Sequence, residues 1–324
     1  MNLVDLAQHF SDEDKAREFL EKKRWPAGPI CPHCGLLGEA YKLNPTQKGK
    51  THVRKGVWKC AGCRKEFTVT VGTIFEDSHI PLHKWLLAFH LLCASKKGMS
   101  AHQLHRMLGV TYKSAWFMAH RIRYAMAQEP LSSKLEGILE IDETYIGGRF
   151  RTGPQAVTPG ERAKDRPAGT QNKAAVLSVL QRGGRVQSMH VQKVTAKNLK
   201  PVIEEMVAEN AIVMTDDSSV LDRASGTRKH YTVNHSADEY VRYEGELCVT
   251  TNAVEGYFAN LKRGINGVYH HVGKQHLHRY LSEFDFRYNA REISDGERAE
   301  LAIKGVNGKR LMLRDSRAAS HKDN

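Results

Sequence analysis

The sequence predicts an α/β protein whose sheet carries acidic residues and follows two smaller N-terminal modules. Three observations lead there. The stretches Gly137-Ile-Leu-Glu-Ile-Asp-Glu-Thr-Tyr-Ile-Gly-Gly148 and Ala211-Ile-Val-Met-Thr-Asp216 are short apolar runs of the kind that form buried strands, and they carry Asp142 and Asp216. A hairpin pattern over residues 174–194 and a helical pattern over 195–209 stand between them, which is the alternation of an α/β unit. Ahead of them lie two Cys-x-x-Cys pairs and then a long stretch of helical periodicity.

Composition narrows the class of function. At 324 residues the chain is long enough for two or three modules, each with its own core. It carries 49 Lys and Arg against 36 Asp and Glu, a net charge of +13, with a pI near 9.4 and 17 His besides. Such a surplus points to a polyanionic partner, and nucleic acid is the commonest. The long apolar runs, such as residues 85–93, fall far short of a membrane span, and no basic segment followed by an apolar one opens the chain. A soluble, cytoplasmic protein with no membrane partner is therefore expected.

Residues 1–24 place Leu3, Leu6, Ala7, Phe10, Ala16, Phe19 and Leu20 at helical intervals, with Ser11-Asp-Glu-Asp as a cap between two short helices. The module at 25–78 holds Cys31-Pro-His-Cys34-Gly and, 25 residues later, Cys60-Ala-Gly-Cys63, flanked by strand-like Val57-Trp-Lys59 and Phe67-Thr-Val-Thr-Val71. Four thiolates in two knuckles suit tetrahedral zinc, a closed structural site that serves folding and not catalysis. Cys93 and Cys248 are left over and are expected as small buried residues. Lys48, Lys50, Arg54, Lys55, Lys59, Arg64 and Lys65 surround the knuckles, either as DNA contacts or as a solvated basic face.

Over residues 79–130 the pattern is helical. Leu82, Trp85, Leu86, Phe89 and Leu92 share one face, Lys96-Lys97-Gly98 ends that helix, and Ser100 caps a shorter one. Gly109-Val110 then turns the chain into a third helix opened by Thr111, carrying Lys113, His120, Arg121 and Arg123, an arrangement that describes a helix-turn-helix. The α/β unit spans 135–295. Its residues 149–173, rich in Gly, Pro, Arg, Lys and Thr, read as a basic loop, and 296–324 as a basic tail of little structure.

A carboxylate within an apolar strand is costly, so Asp142 calls for a cationic partner, a metal ion or a raised pKa, unless it only caps a neighbouring turn. Strand, hairpin, helix and strand, with the two acids brought together on adjacent central strands, is a ribonuclease-H-like order. A further strand near Tyr231 leads to an amphipathic helix, Thr251-Asn-Ala-Val-Glu-Gly-Tyr-Phe-Ala-Asn-Leu-Lys-Arg263, on which Asn252, Glu255 and Lys262 share one face. His230, His235, His270, His271, His276 and His278 cluster around these segments as core or DNA-contacting residues, and none is assigned to a metal.

Cys31-Pro-His-Cys34-Gly, Trp58-Lys-Cys60-Ala-Gly-Cys63, Asp142-Glu-Thr-Tyr-Ile-Gly-Gly148, Val233-Asn-His-Ser236, Asn252-Ala-Val-Glu255 and Phe284-Asp-Phe-Arg-Tyr-Asn289 together resemble the zinc-ribbon-bearing ISXO-like insertion-sequence transposases, over about residues 25–291. The resemblance implies a DDE-type enzyme that binds the terminal inverted repeats of its own element, cleaves DNA and transfers strands, as a homo-oligomer on double-stranded DNA. It implies two divalent ions, Mg²⁺ or Mn²⁺, held by Asp142 and Asp216, with Asp217 as an alternative to Asp216. The third ligand in such enzymes is an Asn or Glu followed by a Lys on the same helix, and both Asn252 and Glu255 are present ahead of Lys262. Charge favours Glu255, since a carboxylate offsets more of the four positive charges than an amide does. Two other readings stay open: a DNA-binding protein with an inert core, and a ribonuclease-H-like nuclease without strand transfer.

Overall fold

The computed structural model describes residues 8, 10, 12–46, 53–127, 134–147 and 173–313. The expected basic loop at 149–173 lies outside the described residues but for Lys173, as do Lys48, Lys50, the end of the tail and most of the first N-terminal helix. The chain forms two compact units, Met1–Gln128 with Ala290–Asn324, and Glu129–Asn289.

In the first unit Asp12 caps α1 (Glu13–Arg24), accepting the Asp14 N–H at 3.1 Å, and acids in the first turn with bases in the last suit the helix dipole. A small antiparallel sheet follows, ordered β1 (Ala40–Lys42), β2 (Trp58–Cys60), β3 (Glu66–Phe67). Trp25 meets Trp58 and Phe67 edge-on at 5.9 and 5.8 Å, and Trp58 Nε1 donates to Glu21 at 3.0 Å, so α1 seals one side of this sheet. Next come α2 (Leu82–Ala94), α3 (Ala101–Leu108) and α4 (Tyr112–Met126). The one apolar face expected for α2 is an understatement: Ala88, His90, Leu91 and Cys93 are buried as well, so the helix is enclosed on nearly all sides.

The second unit is built on a five-stranded sheet in the order β6-β5-β4-β7-β8, from β4 (Ile138–Ile146), β5 (Ala174–Gln181), β6 (Val186–Val191), β7 (Ile212–Asp216) and β8 (Lys229–Val233). β5 runs antiparallel to both of its neighbours, β4 and β6, whereas β4, β7 and β8 run parallel. One face packs Leu139, Ile141, Leu177 and Val213 against α5 (Ala196–Met206) and α6 (Ser219–Ser225). On the other, Ile146, Val176 and Leu180 pack against α7 (Asn252–Gly264) and α8 (Lys274–Asn289). Strand alternation thus sends Leu139 and Ile141 one way and their neighbours Glu140 and Asp142 the other. A hairpin of β9 (Arg242–Glu244) and β10 (Leu247–Val249), not anticipated from the sequence, joins β8 to α7. It leaves Cys248 only half-buried, unlike the buried Cys93.

The tail expected from residue 296 is corrected by α9 (Asp295–Lys304), which belongs to the first unit. Ser294 and Glu297 form a reciprocal capping box, Ala299, Ala302 and Ile303 are buried, and Arg298 donates to the Cys93 carbonyl at 2.9 Å. The basic charge hides an ordinary amphipathic helix. Among the described residues no helix is long and apolar enough to cross a membrane.

Candidate active site and zinc centre

β4 and β7 pair with Ile138, Leu139 and Glu140 opposite Ile212, Val213 and Met214. Two residues further along each strand stand Asp142 and Asp216, so the register sets the aspartates beside one another. Burial and then the charge of Asp216 push the Asp142 carboxyl up to about 7, with lesser upward contributions from Glu143 and Glu255. Only the Glu143 N–H, donating to Asp142 Oδ1 at 2.7 Å, opposes them. Glu143 itself is raised, by burial first and Asp216 second. Asp216 Oδ1 accepts the Ser218 N–H at 3.2 Å, while Asp217 is exposed. Carboxylates crowded into a partly buried place repel one another until a cation joins them, and an all-oxygen donor set suits a hard ion such as Mg²⁺.

On α7, Asn252 is the first helical residue and Glu255 stands one turn on, both exposed. Glu255 Oε1 accepts the Thr251 hydroxyl at 3.0 Å and lies 3.2 Å from His235 Nε2. His235 Nε2 is also 3.2 Å from the Thr251 hydroxyl. Lys262 is exposed on the last turn of α7. Asp216 and Glu255 are near enough for their charges to act on Asp142, yet the three do not gather as closely as the four cysteines do. Two residues of this region are not singled out by the sequence. His235 is one histidine among several there, although its place just after β8 is the signal that sets it beside the start of α7. Glu140, read as one more strand residue, is the fully buried acid that accepts the backbone N–H groups of Ala253 and Val254.

In the first unit the Sγ atoms of Cys31, Cys34, Cys60 and Cys63 all lie within 4.8 Å of one another, with Cys31–Cys63 and Cys34–Cys60 at 3.6 Å. Four sulfurs about 2.3 Å from one zinc ion stand about 3.8 Å apart, so the cluster fits tetrahedral zinc. Each knuckle is closed by a backbone turn, the Gly35 N–H on the Cys31 carbonyl at 2.9 Å and the Arg64 N–H on the Cys60 carbonyl at 3.1 Å. Burial lifts the Cys31 thiol, but the His33 and Cys34 N–H groups outweigh it and bring it down to about 7. The Leu36 N–H lowers Cys34, yet the neighbouring thiols and burial outweigh that and push it up to about 11. Such uneven proton sharing is what a metal ion replaces.

The helices α3 and α4 are capped as expected, Ser100 accepting the Gln103 N–H at 3.1 Å and Thr111 the Ser114 N–H at 3.2 Å, with left-handed Gly109 between them. The basic face expected of α4 is not there. His120, Arg121 and Arg123 are buried, and Arg121 donates to the carbonyls of Ile74, Glu76 and Leu311. An arginine reads as surface charge in a sequence, but its five donors also suit loops that need their carbonyls satisfied. What remains exposed is the first turn of α4, with Tyr112 and Lys113.

Two family models match the chain: the ISXO2-like transposase domain over residues 134–289 and the transposase zinc-ribbon domain over residues 11–66. Residues 134–289 are thus an ISXO2-like transposase domain, with the transposase zinc ribbon ahead of it. A similar protein, named as an uncharacterized protein in transposable element ISH50 of Halobacterium salinarum, is 27% identical over 293 residues, covering 86% of this chain and 91% of that one. Two solved structures, the Mos1 mariner paired end complex with Mn and the Mos1 transposase paired-end complex with left transposon end, align to 62% of this chain and 75% of theirs. Their identities are 14% and 13% and their TM-scores 0.21 and 0.20, too low to bear on the fold.

Proposed function

We propose that this protein is a DDE-type DNA transposase of the cytoplasm that binds the terminal inverted repeats of its own element, cleaves there and joins the freed 3′ end to a target. It works as a homo-oligomer on double-stranded DNA. The observation that carries the reading is the pair Asp142 and Asp216 on adjacent parallel strands in a domain of this family. The order β6-β5-β4-β7-β8, with its hairpin on one side of β4 and its parallel strands on the other, supports a ribonuclease-H-like unit.

Asp142, Asp216 and Glu255 are the residues to hold two Mg²⁺ ions, or Mn²⁺ in their place, which when bound activate the attacking oxygen and stabilise the leaving one in an in-line displacement at phosphorus. Asp142 gives up the proton that its raised carboxyl retains near neutrality. Thr251 and His235 hold the Glu255 carboxylate, Asn252 supports it from one turn back, and Lys262 contacts a phosphate. Water serves as nucleophile in cleavage and the DNA 3′ hydroxyl in joining, with the same residues around both. Flanking inverted repeats, read from the DNA on either side of the coding region, supply the substrate for a strand-transfer assay. Joined products support the proposal; nicking without joining would leave a nuclease, and binding alone a DNA-binding protein.

Glu255→Gln is expected to lose nearly all Mg²⁺-dependent nicking while Asn252→Ala keeps a measurable fraction; the reverse order of damage would make Asn252 the third ligand. The Asp142 carboxyl also sets a pH dependence. Its folded pKa is raised above the ordinary carboxylate value, so protons compete with the ion, and Mn²⁺ affinity measured by titration should fall about tenfold per pH unit below about 7 and level off above it. By the same sign, the metal-free protein loses stability as pH rises from about 4 to 7.

α3, Gly109 and α4 are the proposed DNA-reading helix-turn-helix. Between Asp77 and Glu129 the sequence holds no Asp or Glu at all, while Lys84, Lys96, Lys97, Arg106 and Lys113 all avoid burial there, so the fixed charges this segment offers solvent are all cationic. Lys113→Ala should weaken binding to the element ends and reduce the slope of log affinity against log salt by about one. Arg121→Ala should instead lower thermal stability, because its loss removes the donor from the buried carbonyls of Ile74 and Leu311 and the half-buried one of Glu76.

A further inference from the structure

The helix that carries Glu255 is not held to the sheet by apolar contacts alone. Glu140 is 1% exposed and two residues before Asp142 on the same face of β4, yet it faces the helix and not solvent. Its Oε2 accepts the N–H groups of Ala253 and Val254, the second and third residues of α7, at 2.8 and 3.0 Å. Its Oε1 accepts Arg182 Nε at 2.7 Å. The same guanidinium donates through Nη1 to the Cys248 carbonyl at 2.6 Å and through Nη2 to the Thr250 carbonyl at 2.9 Å. Every oxygen of the buried acid is therefore used, and the fork of the arginine spans the strand that leads into α7.

We propose that Glu140 and Arg182 are positioning residues that fix the start of α7 against β4 and thereby set Glu255 opposite Asp142 and Asp216. A carboxylate at a helix N-terminus meets unpaired N–H groups and the positive end of the dipole, and here it ties a strand to that helix end from the position next but one to the first proposed metal ligand. Neither residue touches DNA or metal in this account; each acts through the placement of Glu255. Arg182 in turn neutralises Glu140, which keeps one more carboxylate charge from adding to the crowd at Asp142.

This inference rests on the reading of Glu255 as a metal ligand, and a double-mutant cycle separates the two. Mn²⁺ alone is titrated into the zinc-loaded full-length protein and free Mn²⁺ is followed by electron paramagnetic resonance, with thermal unfolding and affinity for element-end DNA measured alongside. Glu140→Gln keeps the size of the side chain but satisfies only one of its two sets of donors, and should weaken Mn²⁺ binding about tenfold well below its unfolding temperature, the scale typical of residues that orient metal ligands. DNA affinity should be unchanged. Glu255→Gln should weaken Mn²⁺ binding too, and adding Glu140→Gln to it should cost little more, because the first acts through the second. Arg182→Lys, which keeps the charge but loses the fork, should fall between wild type and Glu140→Gln, and it carries the test should Glu140→Gln not fold. Wild-type Mn²⁺ affinity in a folded Glu140→Gln or Arg182→Lys protein, or fully additive losses in the double variant, would overturn the positioning role. Wild-type affinity in Glu255→Gln would overturn the ligand assignment beneath it.

Discussion

Asp142→Asn and Asp216→Asn should each reduce Mg²⁺-dependent nicking of element-end DNA by at least about a thousandfold while leaving repeat binding intact or tighter. A bound metal ion contributes several kcal/mol of transition-state stabilisation, and each 1.36 kcal/mol is a factor of ten in rate. The substitution removes a charge from the ion's surroundings and no contact to DNA, so cleavage and binding should part company. Asparagine is also close in shape and relieves the burial that pushes the Asp142 carboxyl up to about 7, so both variants should fold, and Asp142→Asn should gain stability in the metal-free state above about pH 4. An electrophoretic shift beside a nicking assay reads both quantities. Appreciable nicking by Asp216→Asn would hand the second position to Asp217.

The second large effect falls on the ribbon. Cys60→Ser, or Cys31→Ser, leaves three thiolates where four are needed, and structural zinc in small domains contributes roughly 10–16 kcal/mol at neutral pH, as much as a whole domain's net stability. The short strands β1 to β3 cannot replace that with apolar contact, since Trp25, Trp58 and Phe67 make up most of their aromatic packing. Either variant should therefore lose about one zinc per chain, unfold its ribbon and bind DNA more weakly. Metal analysis by mass spectrometry, with protease sensitivity of residues 25–78, checks this, and a wild-type zinc content would contradict it.

Much of this architecture was legible because its signals are local. The Cys-x-x-Cys knuckles, the apolar runs around Asp142 and Asp216, and the caps at Ser100 and Thr111 all announce themselves within a few residues. The adjacency of β4 and β7 followed from strand order. What escaped depends on partners distant in sequence. Nothing near Arg121 says that its donors serve carbonyls at Ile74 and Leu311, and nothing near Glu140 shows that it meets Arg182 and the start of α7. The α9 helix is a different case, because Ser294-Asp-Gly-Glu297 is a local capping box that the surrounding charge obscured. His235 lay inside a motif already singled out, and the fold that brings the segment after β8 to the start of α7 gives it Glu255 as a neighbour.

Whether the acids of β4, β7 and α7 hold the ions for DNA cleavage is read most directly from crystals of the full-length protein with element-end DNA, soaked in Mn²⁺ and measured for anomalous scattering. Manganese peaks are expected at Asp142 and Asp216, with Glu255 completing the protein's share, separate from the zinc at Cys31, Cys34, Cys60 and Cys63. Manganese bound elsewhere in the chain, or no peak at Asp142 and Asp216 in crystals that hold cleavable DNA, would contradict that assignment.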